Sequence, residues 1–202
     1  MVQSFHGMVP VIHPSSYVHP LASVIGHVTI GPDCFIGAGA VLRGDWGKIV
    51  LEEGCNVQEN CVLHLFPQGR VYLAAGAHIG HGAIIHGAHI GAQSLVGMNA
   101  VVMDDVVLGE GCIVGALSFV KAGTEWSSRS LLVGHPAQRI GSVTDEQLSH
   151  KQEGTRLYQA LPRAMQSSAH ECKAWESDPG DRPEHFPAYE TWSARKSRTR
   201  KP

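Results

Sequence analysis

The stretch IHPSSYVHPLASVIGHVTIGPDCFIGAGAVL, residues 12–42, has an aliphatic residue at every sixth position. This step of six continues, interrupted by short insertions, as far as Val120. An amphipathic helix would repeat every ~3.6 residues and a half-buried strand every ~2, so neither element explains the period. Eighteen aliphatic residues follow the pattern: Ile12, Val18, Val24, Ile30, Ile36, Leu42, Leu51, Val57, Leu63, Leu73, Ile79, Ile84, Ile90, Val96, Val102, Leu108, Val114 and Val120.

A period of six, often with glycine after the aliphatic residue, is typical of hexapeptide β-helices. Each hexapeptide gives one short strand and one turn, and three hexapeptides make one triangular coil. The sequence therefore predicts an all-β, left-handed parallel β-helix of about six coils, followed by a C-terminal α-helix. The position two residues before each aliphatic residue is mostly small, and it holds four of the five cysteines. We interpret these as small core residues rather than as redox or metal-binding groups: Cys34, Cys55, Cys61 and Cys112.

The chain divides into four expected segments. They are the β-helix over 1–125, a connecting loop over 126–143, a helix over 144–176, and an extended or disordered basic tail over 177–202. Thr144 and Gln147 have the spacing of a capping box at the start of the helix. We expect Gly154 and Pro162 to weaken or kink it. Its apolar face would consist of Leu148, Leu157, Tyr158 and Leu161.

Composition narrows the function classes. The net charge is −2, and residues 191–202 hold five basic residues and no acid, so the rest of the chain is acidic. This balance argues against nucleic acid as the main partner. No apolar run approaches the ~20 residues needed to span a bilayer, so we expect no membrane association. The N-terminus lacks the pattern of an export signal, and we expect a cytoplasmic protein.

Three histidines fall where they could share one metal ion. Hexapeptides three apart lie on the same face of the prism, one coil and about 4.8 Å away from each other. His64 and His86 therefore stack on one face, with Arg43 in the preceding coil. His81 falls on a different face, above Gln58. The other histidines on the prism are expected at corners or exposed positions, solvated or hydrogen-bonded: His13, His19, His27, His78, His89 and His135.

A single prism cannot easily bring all three histidines to one metal, but two identical prisms can. The face with His64 and His86 would meet the neighbour's face with His81, and such a contact closes naturally as a C3 homotrimer. Three imidazoles and one open position form the pattern of a catalytic Zn²⁺ site, although Fe²⁺ also suits these ligands. The metal would supply hydroxide at neutral pH. Asn99 continues the column of His81 and is a candidate substrate contact.

Several motifs resemble those of the γ-class carbonic anhydrase-like hexapeptide-repeat family. They are RGDWG (43–47), NVQE (56–59), His64, GHGAIIH (80–86) and VGMNAVVMD (96–104). The resemblance covers the whole β-helix and extends through VGHPA (133–137) and QEGT (152–155). Within the family, the chain looks most like the branch found in phenylacetate degradation and carnitine operons.

The resemblance implies roles for individual residues. His64, His81 and His86 match zinc ligands shared between adjacent subunits of a trimer. Arg43 and Asp45 match an intersubunit ion pair beside the metal. Other matches are Gln58, which would orient the metal-bound water, and Asn56 and Glu59, which would line the same pocket.

Two departures from the family bear on the substrate. The family archetype has glutamates near the metal for proton transfer, one of them on an acidic loop. Here residues 66–70 replace that loop without an acid, and Trp46 stands where the other glutamate would be. Regenerating hydroxide for CO2 hydration requires export of a proton, whereas a leaving thiolate takes up a proton itself. An apolar Trp46 at the mouth of the site would also favour contact with an organic substrate.

The leading hypothesis is therefore a metal-dependent hydrolase, a thioesterase acting on aromatic acyl-CoA in phenylacetate degradation. The acyl-CoA substrate is implied by the resemblance, since the repeat alone indicates only a metal hydrolase or hydratase. Three alternatives stay open. They are a γ-type carbonic anhydrase acting on CO2 or bicarbonate, a hexapeptide acyltransferase that uses a histidine without metal, and a non-catalytic pathway accessory whose metal only holds the trimer together.

Overall fold

The computed structural model describes residues 1–199, which form a triangular parallel β-helix followed by two helices. The strands are β1 (Val2–Gln3), β2 (Val11–Ile12), β3 (Tyr17–Val18), β4 (Ser23–Ile30), β5 (Phe35–Ile36), β6 (Val41–Leu51), β7 (Asn56–Val57), β8 (Val62–His64), β9 (Arg70–Leu73), β10 (His78–Ile79), β11 (Ile84–His86), β12 (His89–Ile90), β13 (Leu95–Val96), β14 (Val101–Val102), β15 (Val107–Leu108), β16 (Ile113–Val114), β17 (Phe119–Val120), β18 (Glu125–Trp126), β19 (Ser130–Gly134) and β20 (Ala137–Ser142). The helices are α1 (Asp145–Ser168) and α2 (Trp192–Thr199).

Three stacks of parallel strands make the faces of the prism. The first face contains β1, β8, β11, β14 and β17, and the second contains β2, β9, β12, β15 and β18. The longer β4 and β6 bend around a corner and contribute to both of these faces. The third face contains β3, β5, β7, β10, β13, β16, β19 and β20. The hexapeptide architecture is confirmed, with about seven coils rather than about six.

The extra coil comes from a repeat that continues past Val120. Trp126 pairs beside Leu108 and Leu132 beside Val114, so the step of six persists through Trp126, which is not aliphatic. The expected connecting loop over 126–143 is thus largely strand. It contains β19 and β20, an antiparallel hairpin whose turn holds a cis bond between His135 and Pro136.

One expected register is wrong by a single residue. Ile85 pairs with Leu63 and is fully buried, whereas Ile84 is 38% exposed. The step from Ile79 to the next inward residue is therefore six, and the shortened step lies between Ile85 and Ile90. As a result His86, like His64, directly follows an inward residue, and the two histidines are paired neighbours.

The small residues at the corners are buried, including the four cysteines expected there. The Cys61 thiol donates to the Gly80 carbonyl at 3.1 Å. Burial raises the pKa of Cys61 to about 11. A thiol in this state packs as a small apolar group with a weak donor.

Helix α1 begins with the expected capping box, in which Thr144 accepts from the Gln147 backbone and the Gln147 side chain accepts from the Thr144 backbone. Pro162 lies within the helix without ending it. The helix ends at Ser168 rather than near residue 176, and the residues that follow it are exposed.

Helix α1 packs on the third face mainly through polar groups. Its buried residues are Lys151, Thr155 and Pro162, whereas the four apolar residues expected on its inner face are only partly buried. Lys151 Nζ donates to the Gly76 carbonyl at 2.6 Å, and Gln159 donates to the Gly54 carbonyl at 3.2 Å. The helix thus satisfies carbonyl groups at the prism corners. Burial lowers the pKa of Lys151 to about 7.

The tail expected to be extended or disordered contains the second helix, α2. Arg195 of α2 donates to Glu153 of α1 at 2.6 Å, which holds the two helices together. The expectation for residues 200–202, including Arg200 and Lys201, lies outside the described residues. Neither helix in the described part of the chain has the length and apolar character needed to cross a membrane.

Candidate functional site

The strongest cluster of chemically active groups lies on the first face, where β8 and β11 end side by side. His64 and His86 both follow a fully buried inward residue, so their side chains emerge outward from neighbouring coils. His64 Nδ1 and His86 Nε2 are 3.3 Å apart. Two nitrogens on one tetrahedral zinc, each about 2.0–2.1 Å from the ion, would also lie about 3.3 Å apart.

Carboxylates orient both rings from the side away from this contact. Asp104 Oδ1 is 2.7 Å from His86 Nδ1, and Asp45 Oδ1 is 3.2 Å from His64 Nε2. An ionised carboxylate only accepts, so each histidine carries its proton on the nitrogen that faces the acid. The facing nitrogens then both present lone pairs, which repel each other unless a cation lies between them. The donor set therefore fits a metal ion.

His81 lies on the corner that follows β10 of the third face. The register places it over Glu59 rather than over Gln58, and its Nδ1 is 2.6 Å from Glu59 Oε2. His81 Nε2 is thereby left free to bind a metal, as in carboxylate–histidine–zinc triads. Within residues 1–199, no three His, Cys, Asp or Glu side chains of a single chain are grouped to hold a metal.

Arg43 and Asp45 form an ion pair within one chain, with Arg43 Nη1 donating to Asp45 Oδ2 at 2.7 Å. The resemblance implied a pair between subunits, but residues two apart on strand β6 point to the same side. Burial acts to raise the pKa of Asp45, but hydrogen bonding and the charge of Arg43 outweigh it and hold this pKa below its ordinary value. Burial, followed by the charge of Arg43, lowers the pKa of His64.

Gln58 and Asn56 are buried beside the His81 corner. Gln58 Oε1 accepts from the His81 backbone N–H at 3.2 Å, and Gln58 Nε2 donates to Asn56 Oδ1 at 3.0 Å. Asn56 Nδ2 has no hydrogen-bond partner among the described residues. A buried donor without a partner is rare, and this nitrogen is enclosed by the protein rather than exposed to a substrate.

Two exposed aromatic side chains flank the histidine pair. The Trp46 ring is 49% exposed and lies 5.3 Å from the His64 ring. Phe66, 60% exposed, lies 4.9 Å from the His86 ring. The sequence predicts Trp46 at the mouth of the site. It gives Phe66 no role beyond membership of the loop that lacks an acid. Trp46 and Phe66 together form an apolar border around the ring nitrogens of His64 and His86.

Asn99 lies one coil beyond His81, and its backbone N–H donates to the His81 carbonyl at 2.9 Å. The strand register nevertheless pairs Asn99 with Gly82 and Met98 with His81, so the expected column of His81 and Asn99 is wrong by one residue. Asn99 has a φ of 55° and its side chain lies beneath the Gly82 corner. Asparagine tolerates this left-handed conformation well, so a role in the turn accounts for Asn99 without substrate.

Two residues near the site received no role from the sequence. Asp104 follows His86 by 18 residues, which is one coil, so the coil length would have revealed this pair. His78 was expected at a corner or exposed position, but α1 half-covers it and its Nε2 lies 2.6 Å from Gln58 Nε2. No periodic signal indicates that contact, because the helix that covers His78 is remote in sequence.

A pocket of about 230 Å³ opens at the third-face side of this site. Its walls include Gln58, His78, His81, Met98 and Tyr158. Met98 is half exposed, so the pocket has an apolar rim beside the imidazole. The volume suits part of a small organic ligand rather than a whole cofactor.

Comparison with known proteins agrees with the fold. A family model described as bacterial transferase hexapeptide (six repeats) matches residues 10–44 and 87–122. The carnitine operon protein CaiE of Escherichia coli K12 is 44% identical over 170 residues, covering 84% of this chain and 87% of CaiE. CaiE of Proteus sp. is 45% identical over 160 residues, covering 79% of this chain and 81% of that protein.

Solved structures share the architecture. A candidate acetyltransferase of Bacillus cereus superposes with a TM-score of 0.81 at 29% identity, covering 83% of this chain and 97% of that one. A hexapeptide transferase family protein of Anaplasma phagocytophilum gives a TM-score of 0.78 at 34% identity, covering 81% and 97%. With its hexapeptide prism and its extended identity to CaiE, the chain belongs to the hexapeptide-repeat family, in the group of the CaiE proteins.

Proposed function

We propose that this protein is a metal-dependent hydrolase of acyl-CoA thioesters whose active site lies between neighbouring subunits of a homotrimer. One observation carries the proposal: each of His64, His81 and His86 has a carboxylate on one ring nitrogen, so the other nitrogen is free to bind a metal. Three such imidazoles are the ligand set of catalytic zinc.

The trimer follows from the placement of the ligands. Two of them lie on the first face and the third lies on the corner of the third face, so a rotated copy of the chain supplies the missing nitrogen. Repetition of one heterologous contact around a threefold axis gives a closed ring with a site at each interface.

The residues around the ligands have defined tasks. Zn²⁺ held there would lower the pKa of a coordinated water to about 7 and polarise a carbonyl group. Gln58 Oε1 retains a lone pair beside His81 that can accept a hydrogen bond from water. Arg43 keeps Asp45 ionised as the acceptor for His64.

The substrate class rests on the resemblance to the phenylacetate branch and on the border of the site. Trp46 and Phe66 offer two exposed rings next to the ligand pair, which suits an aromatic or other apolar acyl group. The loop at residues 66–70 has no acid to export protons. Thioester hydrolysis tolerates this better than rapid CO2 hydration, because the departing thiolate accepts a proton.

The test is hydrolysis of phenylacetyl-CoA and related acyl-CoAs, followed by thiol release, with zinc-loaded and chelated protein. We expect turnover that depends on metal and falls at least 100-fold in His81→Ala. His89→Ala is the matched control, since His89 is an exposed histidine of the second face. Undiminished turnover in His81→Ala would exclude the mechanism, as would equal turnover with and without metal.

An acyltransferase is the second candidate, favoured by the likeness to the Bacillus cereus candidate acetyltransferase. An acyltransferase would still transfer an acyl group to an amine or hydroxyl acceptor after the metal is removed by a chelator. The hydrolase would be inactive under the same conditions. Two further alternatives are separated by the same preparations. Stopped-flow CO2 hydration reports a carbonic anhydrase, and chelation that dissociates the trimer in a protein without turnover indicates an accessory with a structural metal.

A further inference from the structure

A chain of hydrogen bonds connects helix α1 to the site through His78. The His81 backbone N–H is a fixed donor, and it donates to Gln58 Oε1 at 3.2 Å. The opposite end of the Gln58 amide must therefore be the NH2 group. Its nitrogen lies 2.6 Å from His78 Nε2 and 3.0 Å from Asn56 Oδ1.

This geometry determines the tautomer of His78. Because Gln58 Nε2 donates, His78 Nε2 must be an unprotonated acceptor, and the ring proton must be on Nδ1. Thr155 of α1 is buried, and its Oγ lies 3.4 Å from His78 Nδ1, where it accepts that proton. Burial, together with the charge of Lys151, lowers the pKa of His78 to about 3. The acceptor at Nε2 is thus present at all physiological pH values.

We propose that His78 is a positioning residue that locks the Gln58 amide with its carbonyl oxygen toward His81. Both amide hydrogens of Gln58 are then committed, one to His78 and one to Asn56. Without the His78 acceptor, one N–H loses its partner, and only the His81 backbone N–H and Asn56 Oδ1 still hold the amide, so its carbonyl oxygen is positioned less firmly. The proposed function assigns Gln58 Oε1 to accept from water, and this further inference rests on that assignment.

Contact with the helix alone does not account for this arrangement. Lys151 also joins α1 to the prism, donating to Gly76 and to Gln93 at 3.2 Å, but it makes no hydrogen bond to Gln58. If His78 only held the helix, its loss would resemble the loss of Lys151. A role in positioning instead predicts an effect on turnover that depends on the acceptor and is separate from stability.

The activity test compares zinc-loaded trimers of His78→Leu, His78→Gln and Lys151→Met on an acyl-CoA substrate. Loss of residues that orient a metal site commonly costs 10–100-fold. We expect kcat to fall about tenfold in His78→Leu, with KM within about twofold and zinc content unchanged. His78→Gln places an acceptor near Nε2 and should recover most of kcat. Lys151→Met should lower the thermal midpoint and leave kcat unchanged. Wild-type kcat in His78→Leu, or equal losses in the Leu and Gln variants, would overturn the proposal.

A second measurement is independent of turnover. Nitrogen-15 spectra of the His78 ring should show a proton on Nδ1 and none on Nε2, with or without zinc. The Gln58 side-chain amide hydrogens should exchange slowly and become faster in His78→Leu. A proton on Nε2, or exchange unaltered by the substitution, contradicts the inference. If the wild-type protein hydrolyses no acyl-CoA, the proposed function fails, whereas these spectra still decide whether His78 holds Gln58.

Discussion

Mixed trimers of two defective variants give the sharpest test of a metal site shared between chains. His86→Ala removes a ligand from the first face, and His81→Ala removes the ligand from the third-face corner. Each variant alone has no complete site. In a mixed ring, an interface is intact when the His81→Ala chain supplies the face and the His86→Ala chain supplies the corner.

The expected recovery follows from the geometry of a ring. Any trimer that contains both kinds of chain has a single interface of the intact kind, whichever variant is present twice. Zinc content and acyl-CoA turnover should therefore return to about one third of the wild-type values. The mixed rings can be isolated by co-expressing the variants with two different affinity tags and purifying on each tag in succession.

The control is a mixture of His64→Ala and His86→Ala, which both lack a first-face ligand. None of its interfaces is complete, so neither zinc nor turnover should return. If the mixture of His81→Ala and His86→Ala also recovers nothing, the ligands do not come from two chains. Recovery in the control mixture would show that His64 and His86 do not bind the same ion.

Further predictions concern the register, the carboxylates and the response to pH. Ile85→Ala should lower the free energy of unfolding, measured in urea, by about 3 kcal/mol, because Ile85 is fully buried. Ile84→Ala should lower it by less than about 1 kcal/mol, because Ile84 is partly exposed. The reverse order would show that Ile84, and not Ile85, points into the core. Asp104→Ala should weaken zinc binding 10–100-fold in competition with a chelator, because His86 loses the acceptor on Nδ1, and unchanged affinity would exclude this role. The pKa of His78 is about 3 in the folded protein and ~6.5 in the unfolded chain, so only the unfolded chain gains this proton as the pH falls below ~6.5. Stability should thus decline from pH 7 to pH 5 by up to about 2 kcal/mol more in the wild type than in His78→Gln; parallel curves would show that His78 does not titrate in this way.

The prism could be predicted from sequence because one inward residue in six is a strong constraint on a narrow core. The hexapeptide pattern predicted the wrong register where two neighbouring residues satisfied it equally well. Ile84 and Ile85 are both apolar, and Gly82 and Ala83 are both small, so the sequence permits either register at this coil. Packing selects Ile85, since the preceding step from Ile79 then keeps its normal length.

The helix and its contacts could not be predicted with the same success. Its start was clear from the Thr144 capping box, but the expected apolar face is only partly buried, and polar side chains supply the helix's hydrogen bonds to the prism. The third face offers carbonyl groups at its corners, and long polar side chains such as Lys151 and Gln159 satisfy them. The surroundings of His78 depend on the contact between helix α1 and the third face, so they could not be predicted from the hexapeptide pattern.

The acidic partners of the histidines follow a rule that the repeat itself supplies. Asp104 lies 18 residues after His86, and Asp45 lies 19 residues before His64, so each belongs to an adjacent coil. Glu59 precedes His81 by 22 residues, because the longer turn around residues 66–70 lies between them. An acid placed one coil from a histidine stacks beside it, about 4.8 Å along the prism, and can fix its tautomer. A search for metal sites in β-helix sequences should therefore compare residues that lie one coil apart, since a ligand and the acid that orients it are close in space but far apart in sequence.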